Sequence, residues 1–492
     1  MGPLRLLAVS ASIVVSLVAF GAVADEIHVH DAAGLVDAAR AAKAGDEIVL
    51  ATGTYRLSGV SCSAAGTPDA PILVRSAEPL GAHIEFDGVE GFKVSGAHWH
   101  FEGLDISGVC ADHSDCEHAF HVVGEAHGFV LRASRVRDFN AQLKVNAALV
   151  DGRWVQPNDG QIVGCEIFDT EPRRTSNPVT KLNIDSGRSW IVQGSYLHDF
   201  EKAGGNRTSY AAFMKSGGED GLFERNLVVC STSGSQSGTR VGLSFGGGGT
   251  APQFCAPAFD ADVRCDVEHR GGTMRNNIVA SCSDVGIYLN RAADTKLLFN
   301  TLVATSGIDF HFDTTTGLAH GNLLSGRIRD RDGASHVDGP NLNVPPGFFD
   351  RWYRDPAHGD LWPFEDPSAS VGSAAAHPDV TDDYCGRTRP ENPTQGALEH
   401  GLGACKTLPP PGLGTEAGGS GGSGGTDIPD RDGDTGGTGG SDDPWYPEDR
   451  VWDDDVVICG CASGSGTGGD ALLALLLGLA LVLPARPRQE GR

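Results

Sequence analysis

The chain has 492 residues, with 64 acidic against 38 basic side chains and a formal charge of −26. That balance excludes a nucleic-acid partner, because phosphate backbones are held by basic surfaces, and it leaves a polyanion only a local basic patch. Twelve cysteines with no Cys-x-x-Cys pair and His partner point to disulfides in an oxidising compartment rather than to zinc.

Residues 1–24 read as a secretion signal. Arg5 is the positive start, Leu6 to Val23 is largely apolar, and Ala22-Val23-Ala24 precedes Asp25. An exported body is expected over 25–405. It opens with an Ala/Leu-rich helix from Ala32 to Ala44, suited to cap the open end of a stack of coils. Gly45-Asp46-Glu47-Ile48-Val49-Leu50 then turns the chain into a strand, and Gly53-Thr54-Tyr55 closes the segment.

Internal repeats follow. One segment recurs as Phe101-Glu102-Gly103-Leu104, Ile162 to Ile167, Ile191 to Leu197, Phe223 to Val228, Met274 to Val279, Leu298 to Leu302 and Gly321 to Leu324. A second strand recurs between these, marked by Phe120/Val122, Leu143/Val145, Leu182/Ile184, Ala212/Met214, Leu243/Phe245, Ile287/Leu289 and Phe310/Phe312. Short strands of period two, in step, predict an all-β solenoid of stacked parallel coils. Asn226, Asn277, Asn300 and Asn322 predict an amide ladder at a turn, where Asn tolerates the left-handed conformation.

Cys110/Cys116 and Cys255/Cys265 are close enough in sequence to staple single loops; Cys230 and Cys282 follow similar strands, and Cys385 and Cys405 flank the end of the body. Connectivity stays open at this point. Pro345 to Gly401, rich in Asp, Pro and Trp, is expected to cover the far end of the stack. Residues 406–457 form a Gly/Pro/Asp-rich linker with 12 acids and 3 bases. Within it Asp430-Arg431-Asp432-Gly433-Asp434 lacks the downstream Glu of a calcium loop. Residues 458–492 carry Cys459-Gly460-Cys461, a 13-residue apolar stretch from Ala471 to Leu483, then Arg486 and Arg488. That stretch is short for a spanning helix.

The order Cys, short apolar helix, basic end resembles the C-terminal sorting tails of myxobacterial surface proteins. The resemblance implies membrane contact through the tail before processing, cleavage near Cys459 and Cys461, and transfer to the cell surface. In the body, Ala41 to Tyr55, Gly91-Phe92-Lys93-Val94-Ser95-Gly96 with Phe101 to Leu104, and Asp383 to Glu399 ending Gly396-Ala397-Leu398-Glu399 resemble the right-handed parallel β-helix superfamily. That superfamily includes pectate lyases and the alginate lyase/chondroitinase B group. A right-handed parallel β-helix over 25–405, acting as a single chain on polysaccharide, is what the resemblance implies.

β-Elimination from a polyuronate needs a base for the proton α to a carboxylate, a cation to neutralise that carboxylate, and an acid for the leaving oxygen. The alternation sends His121, Lys144, Asn183, Phe213, Ser244, Tyr288 and His311 outward in one column. Two residues on, it sends Val123, Asn146, Asp185, Lys215, Gly246, Asn290 and Asp313. Lys144, Lys181, Asn183, Asp185 and Lys215 therefore share one face, with His118 and His121 beside them. Met214-Lys215-Ser216 resembles the strand end of the alginate lyase/chondroitinase B group where a Lys is the base. This implies Lys215 as base and Asn183 as a substrate-carboxylate contact. The group's Arg lies on the following coil, where Arg240 is the candidate but stands at the strand start, the matching place falling nearer Phe245-Gly246-Gly247. The group's calcium carboxylates are replaced by Ser209, Tyr210 and Ala211, so no cofactor is certain, calcium stays open, and Lys144 or Lys181 becomes the candidate neutraliser. Asp185, Asp309 and Asp313 also permit a glycosidase carboxylate pair, though no paired-Asp motif supports it. Two functions remain: a lyase of uronate-containing glycans, or a non-catalytic surface β-helix for glycan binding, adhesion or envelope structure.

Overall fold

The computed structural model describes residues 25–247, 249–364, 366–410 and 413. The expected leader, most of the linker, and the tail with Cys459 and Cys461 lie outside the described residues. Among those described, strands fall into three long sheets of twelve, eleven and ten members. The chain visits them in that order once per coil: Ile191–Gln193, Tyr196–His198, Thr208–Lys215, then Leu222–Glu224 back on the first sheet. Successive coils pair in parallel throughout these three sheets, as in Asn183 opposite Phe213 and Val192 opposite Phe223. This is a right-handed parallel β-helix, the hand expected of parallel crossover connections.

Alternation builds the core. On the ten-stranded sheet Phe92, Phe120, Leu143, Leu182, Ala212, Leu243, Ile287 and Ile308 are register neighbours and fully buried. In the N-terminal half Phe86, Phe92, Phe101, Phe120 and Phe129 pack with ring centroids 4.9 to 5.8 Å apart, distances at which aromatic pairs add to simple burial. The helix Ala32–Ala41 starts at Asp31, whose carboxylate accepts from the Gly34 amide, and buries Leu35, Ala38 and Ala39 against the first coil.

The amide ladder is present, with one change in its geometry. Asn277 Oδ1 accepts from both the backbone N–H and Nδ2 of Asn226; Asn300 does the same for Asn277, Asn322 for Asn300, and Asn341 for Asn322. The left-handed residue is the one before Asn226, Asn277, Asn300 and Asn322: Arg225, Asn276, Phe299 and Gly321 have φ of 53°, 55°, 53° and 71°. The ladder Asn is there for its amide, and the sharp corner is made by its predecessor. Four disulfides join Cys110 to Cys116, Cys230 to Cys282, Cys255 to Cys265 and Cys385 to Cys405; Cys62 and Cys165 are free and buried.

Two expectations are corrected. The segment after Pro345 lies along the side of the stack, not over its far end. Phe349, Tyr353, Leu361, Val371, Tyr384, Ala397 and Leu398 pack on Leu227, Val229, Ile278, Ala280, Val303 and Leu323, the outward apolar residues of the eleven-stranded sheet. Those strands are apolar on both faces, so a second layer is required. The expected membrane contact of the tail is withdrawn: among the described residues no helix is long and apolar enough to cross a membrane.

Candidate functional site

The outer face of the ten-stranded sheet carries a ladder of polar side chains. Register sets one column as Lys93, His121, Lys144, Asn183, Phe213, Ser244, Tyr288 and Asp309. The late members differ from the sequence reading. Asp309 and His311 occupy the positions assigned to His311 and Asp313, because Ile308 and Phe310, not Phe310 and Phe312, are the inward pair of that strand.

Lys144, Asn183, Asp185 and Lys215 do meet, on three successive coils. Lys144 Nζ donates to Asn183 Oδ1 at 3.1 Å and is ion-paired with Asp185 Oδ2; Lys215 Nζ stands 4.0 Å from Asp185 Oδ1. Burial pushes the Asp185 carboxyl up, but the Lys144 and Lys215 ammoniums outweigh it and hold the group below its usual range. Lys215 also donates to the Gly249 carbonyl at 3.3 Å and lies 5.0 Å from the centre of the Phe213 ring. Both lysine side chains keep part of their surface in solvent, 19% for Lys144 and 16% for Lys215. Two ammoniums thus meet at one carboxylate, and the Glu117 carboxyl also acts on Lys144 from beside the strand.

His121 is held on the preceding coils. Its Nδ1 is 2.5 Å from Glu90 Oε1 and its Nε2 2.8 Å from Asn146 Oδ1. The His121 hydrogen bond lowers the Glu90 pKa to about 2, against the opposing effect of burial. His118 stacks obliquely on His121 with centroids 5.2 Å apart, and burial pushes its pKa down to about 3. Both ring nitrogens of His121 are thus engaged by protein partners, and the side chain is buried.

Lys181 and Arg240 are corrections. Lys181 has the outward parity but is fully buried, because the chain around Phe139 and Asp169 folds over the strand start. Its Nζ donates to Asp169 Oδ2 at 2.6 Å and to the Phe139 carbonyl at 2.7 Å. Arg240 is 2% exposed, with Nη1 on Glu201 Oε2 at 3.1 Å and Nη2 on the Ser235 carbonyl. Neither reaches the face that Lys144 and Lys215 share.

Calcium was tested against the residues present. Among those described, no group of three or more His, Cys, Asp or Glu side chains is placed to hold a metal ion. Asp185, the carboxylate beside Lys215, is already matched by two ammoniums. The described residues do not fit such an ion.

Sequence reasoning missed Glu90, because a single Glu before the Phe92 strand carries no motif. It became visible only through the parallel register that brings Glu90 beside His118 and Lys93 beside His121.

No protein-family profile matches the chain, and no curated protein matches it. Among solved structures, pectate lyase Pel9A is similar over 74% of this chain and 90% of its own, with 13% identity and a TM-score of 0.51. A rhamnogalacturonan lyase aligns over 60% of this chain and 77% of its own at 16% identity, TM-score 0.41. The PL6 family polysaccharide lyase Pedsa3628 from Pseudopedobacter saltans aligns over 65% and 93% at 13% identity, TM-score 0.37. At such identities the likeness to Pel9A speaks for the shared β-helix fold alone.

Proposed function

We propose that the chain is an exported polysaccharide lyase that cleaves a uronate-containing glycan by β-elimination on the outer face of the ten-stranded sheet. The observation that carries this reading is the convergence of Lys144 and Lys215 on Asp185 beside an outward Asn183. Lys215 is the base for the proton α to the substrate carboxylate. Lys144 and Asn183 hold that carboxylate, and the Phe213 ring offers its remaining edge to a sugar face. The sequence resemblance to the alginate lyase/chondroitinase B group supports this reading, and pectate lyase Pel9A is similar in fold. Export through residues 1–24 and processing at the Cys459/Cys461 tail belong to the same proposal.

The test is ultraviolet absorbance of the unsaturated uronate released from pectate, alginate and rhamnogalacturonan. Lys215→Ala is expected to lower kcat by about 100-fold or more, the scale of a lost general base, and Lys144→Met to raise KM about tenfold. If the protein binds these glycans with no unsaturated product, and Lys215→Ala binds equally well, the elimination reading is wrong. A glycan-binding surface protein is then the better description.

A further inference from the structure

Farther along the same sheet, three consecutive coils stack six polar side chains outward in two columns. Tyr288, Asp309 and Arg329 are register partners in one; Asn290, His311 and Arg331 are partners in the other. Their alternate neighbours Ile287, Leu289, Ile308 and Phe310 are fully buried in the core, so the six project from the opposite face.

The block is internally wired. Tyr288 Oη lies 2.6 Å from His311 Nδ1, and His311 Nε2 lies 2.5 Å from Oδ2 of Asp332 in the turn that follows. Asn290 Nδ2 donates to Tyr288 Oη at 3.2 Å. Asp309 accepts from Arg329 Nε at 2.6 Å, Arg329 Nη2 at 3.0 Å and Arg331 Nη1 at 3.0 Å. One buried carboxylate thus anchors two guanidiniums whose side chains stay 38% and 30% exposed. Asn290, only 6% exposed, leaves its Oδ1 without a hydrogen-bond partner among the described residues.

The partners fix the tautomer. Asp332 only accepts, so His311 Nε2 carries the proton and the Nδ1 lone pair accepts from the Tyr288 hydroxyl. Burial and the Arg331 guanidinium lower the His311 pKa, against Asp332 and Asp309, which raise it. Tyr288, Asp309, Arg331 and Asp332 are the titratable groups that face it, and Phe312 stacks on it at 3.7 Å. Burial, with Tyr210, Asp309 and Asp284 and against Arg331, raises the Tyr288 pKa, so its hydroxyl keeps a proton at rest and serves only as a relay that gains one proton as it passes the other on. A carboxylate orienting an imidazole that takes a proton from a hydroxyl is the order of parts in an activated hydroxyl relay.

We propose that Tyr288, backed by His311 and Asp332, is a second proton-transfer centre on this face, acting on a uronate unit whose carboxylate is held by Arg329 and Arg331. It rests on reading the face as a site for an acidic glycan, but not on the lysines. Tyr288 stands two coils beyond the Lys215 strand, about 10 Å along the stack, and Lys215 leans the other way, toward Asp185. In the step, Tyr288 Oη takes the sugar C5 proton while its own proton passes to His311 Nδ1. The C5–H electron pair becomes the C4=C5 double bond, and the C4–O4 bond breaks with its pair on oxygen. The imidazolium, balanced by Asp332, then returns its proton through Tyr288 to that oxygen. The arginines lower the cost of carbanion character at C5, and the open Asn290 oxygen is an acceptor for a sugar hydroxyl.

The experiment uses the full chain with oligogalacturonate and oligomannuronate, following unsaturated product by absorbance and affinity by calorimetry. Tyr288→Phe is expected to lower kcat about 100-fold or more with Kd within about threefold of the parent. Arg329→Ala with Arg331→Ala is expected to weaken binding about tenfold. Asp332→Asn is expected to shift the acid limb of the kcat profile, and Asp332→Glu to restore it, which a packing role would not do. Tyr288→Phe with unchanged kcat, or binding without turnover in the parent protein, overturns the proposal. If Lys215→Ala abolishes turnover while Tyr288→Phe does not, the relay falls and the lysine reading stands. The reverse pattern keeps the relay and removes Lys215 as base. If neither oligouronide binds, both readings fall.

Discussion

Two buried charges show how much single residues carry. Lys181 and Asp169 are both essentially out of solvent, and burial lowers the lysine pKa and raises the carboxyl pKa. Lys181→Met removes one partner and leaves Asp169 with Gln142 Nε2 at 3.1 Å. Urea unfolding is expected to register a loss of about 3–5 kcal/mol, and the double change Lys181→Met with Asp169→Leu to recover most of it. Glu90 offers a test by pH. Its folded pKa of about 2 lies below the ordinary 4.5, so its stabilisation is full above about pH 4.5 and is lost as pH falls toward 2. The parent should lose up to about 3 kcal/mol more across that window than Glu90→Gln, measured by unfolding midpoints at each pH. Because the Glu90 charge also raises the His118 pKa, the difference reports the Glu90, His118 and His121 cluster together. At this scale the sequence was legible for Lys144, Asn183, Asp185 and Lys215, whose outward parity follows from strict alternation. It was not legible for Lys181 or Arg240, since alternation gives a direction from the core but not what a neighbouring turn lays over it.

At the scale of elements, the fold was readable because each coil repeats the same instruction. An apolar strand, one left-handed residue and a ladder side chain recur, and the ladder chemistry runs from Ser134 and Ser195 into Asn226 and its successors. A ladder Ser accepts from one backbone N–H and donates to a carbonyl two residues earlier in its own coil, as Ser134 does to Arg132, whereas Asn donates to the carbonyl of an earlier strand, as Asn277 Nδ2 does to Phe223 O at 2.9 Å. Asn277→Ala therefore orphans the Asn226 backbone N–H, while Asn226 Nδ2 keeps the Val192 carbonyl and Asn300 Oδ1 keeps the residue 277 backbone N–H. A buried orphan costs about 1–3 kcal/mol, and this variant should be destabilised by at least that much in chemical denaturation. Asn341→Ala, at a half-buried terminal rung, should cost clearly less. An equal loss at both positions would show that the rungs do not act through burial. Alternation misses the register only at the strand Gly307–His311, where it predicts Phe310 and Phe312 as the inward pair. Phe312 instead turns out at φ 73° to stack beneath Arg291, a local geometry that a pattern of apolar residues does not encode.

At the scale of the molecule, the stack is open on one flank and the C-terminal segment closes it. The alternation rule expects one apolar face per strand, yet Leu227–Val229 and Ile278–Ala280 are apolar throughout and fully buried, which called for a covering layer that the sequence reading placed at the wrong surface. That layer is fixed by polar contacts as well as by packing. Arg389 is buried with Nη1 on Glu399 Oε2 at 3.3 Å and Nη2 on Asn276 Oδ1 at 3.0 Å, the left-handed corner residue of a coil. Arg225 is ion-paired with Asp382, and Arg275 donates to the Asp379 carbonyl. Ending the chain after Val344 would uncover the apolar flank and strand these partners, while leaving the core and the ten-stranded face in place. Hydrogen exchange should then rise most in 222–229, 273–280 and 295–303 and least in 90–146, where the segment makes no part of the core. The truncated chain should also self-associate, as a large contiguous apolar surface does. Uniform loss of protection along the stack would instead mean that the segment stabilises the coils as one cooperative unit, the other behaviour open to a solenoid whose repeats are strongly coupled to their neighbours.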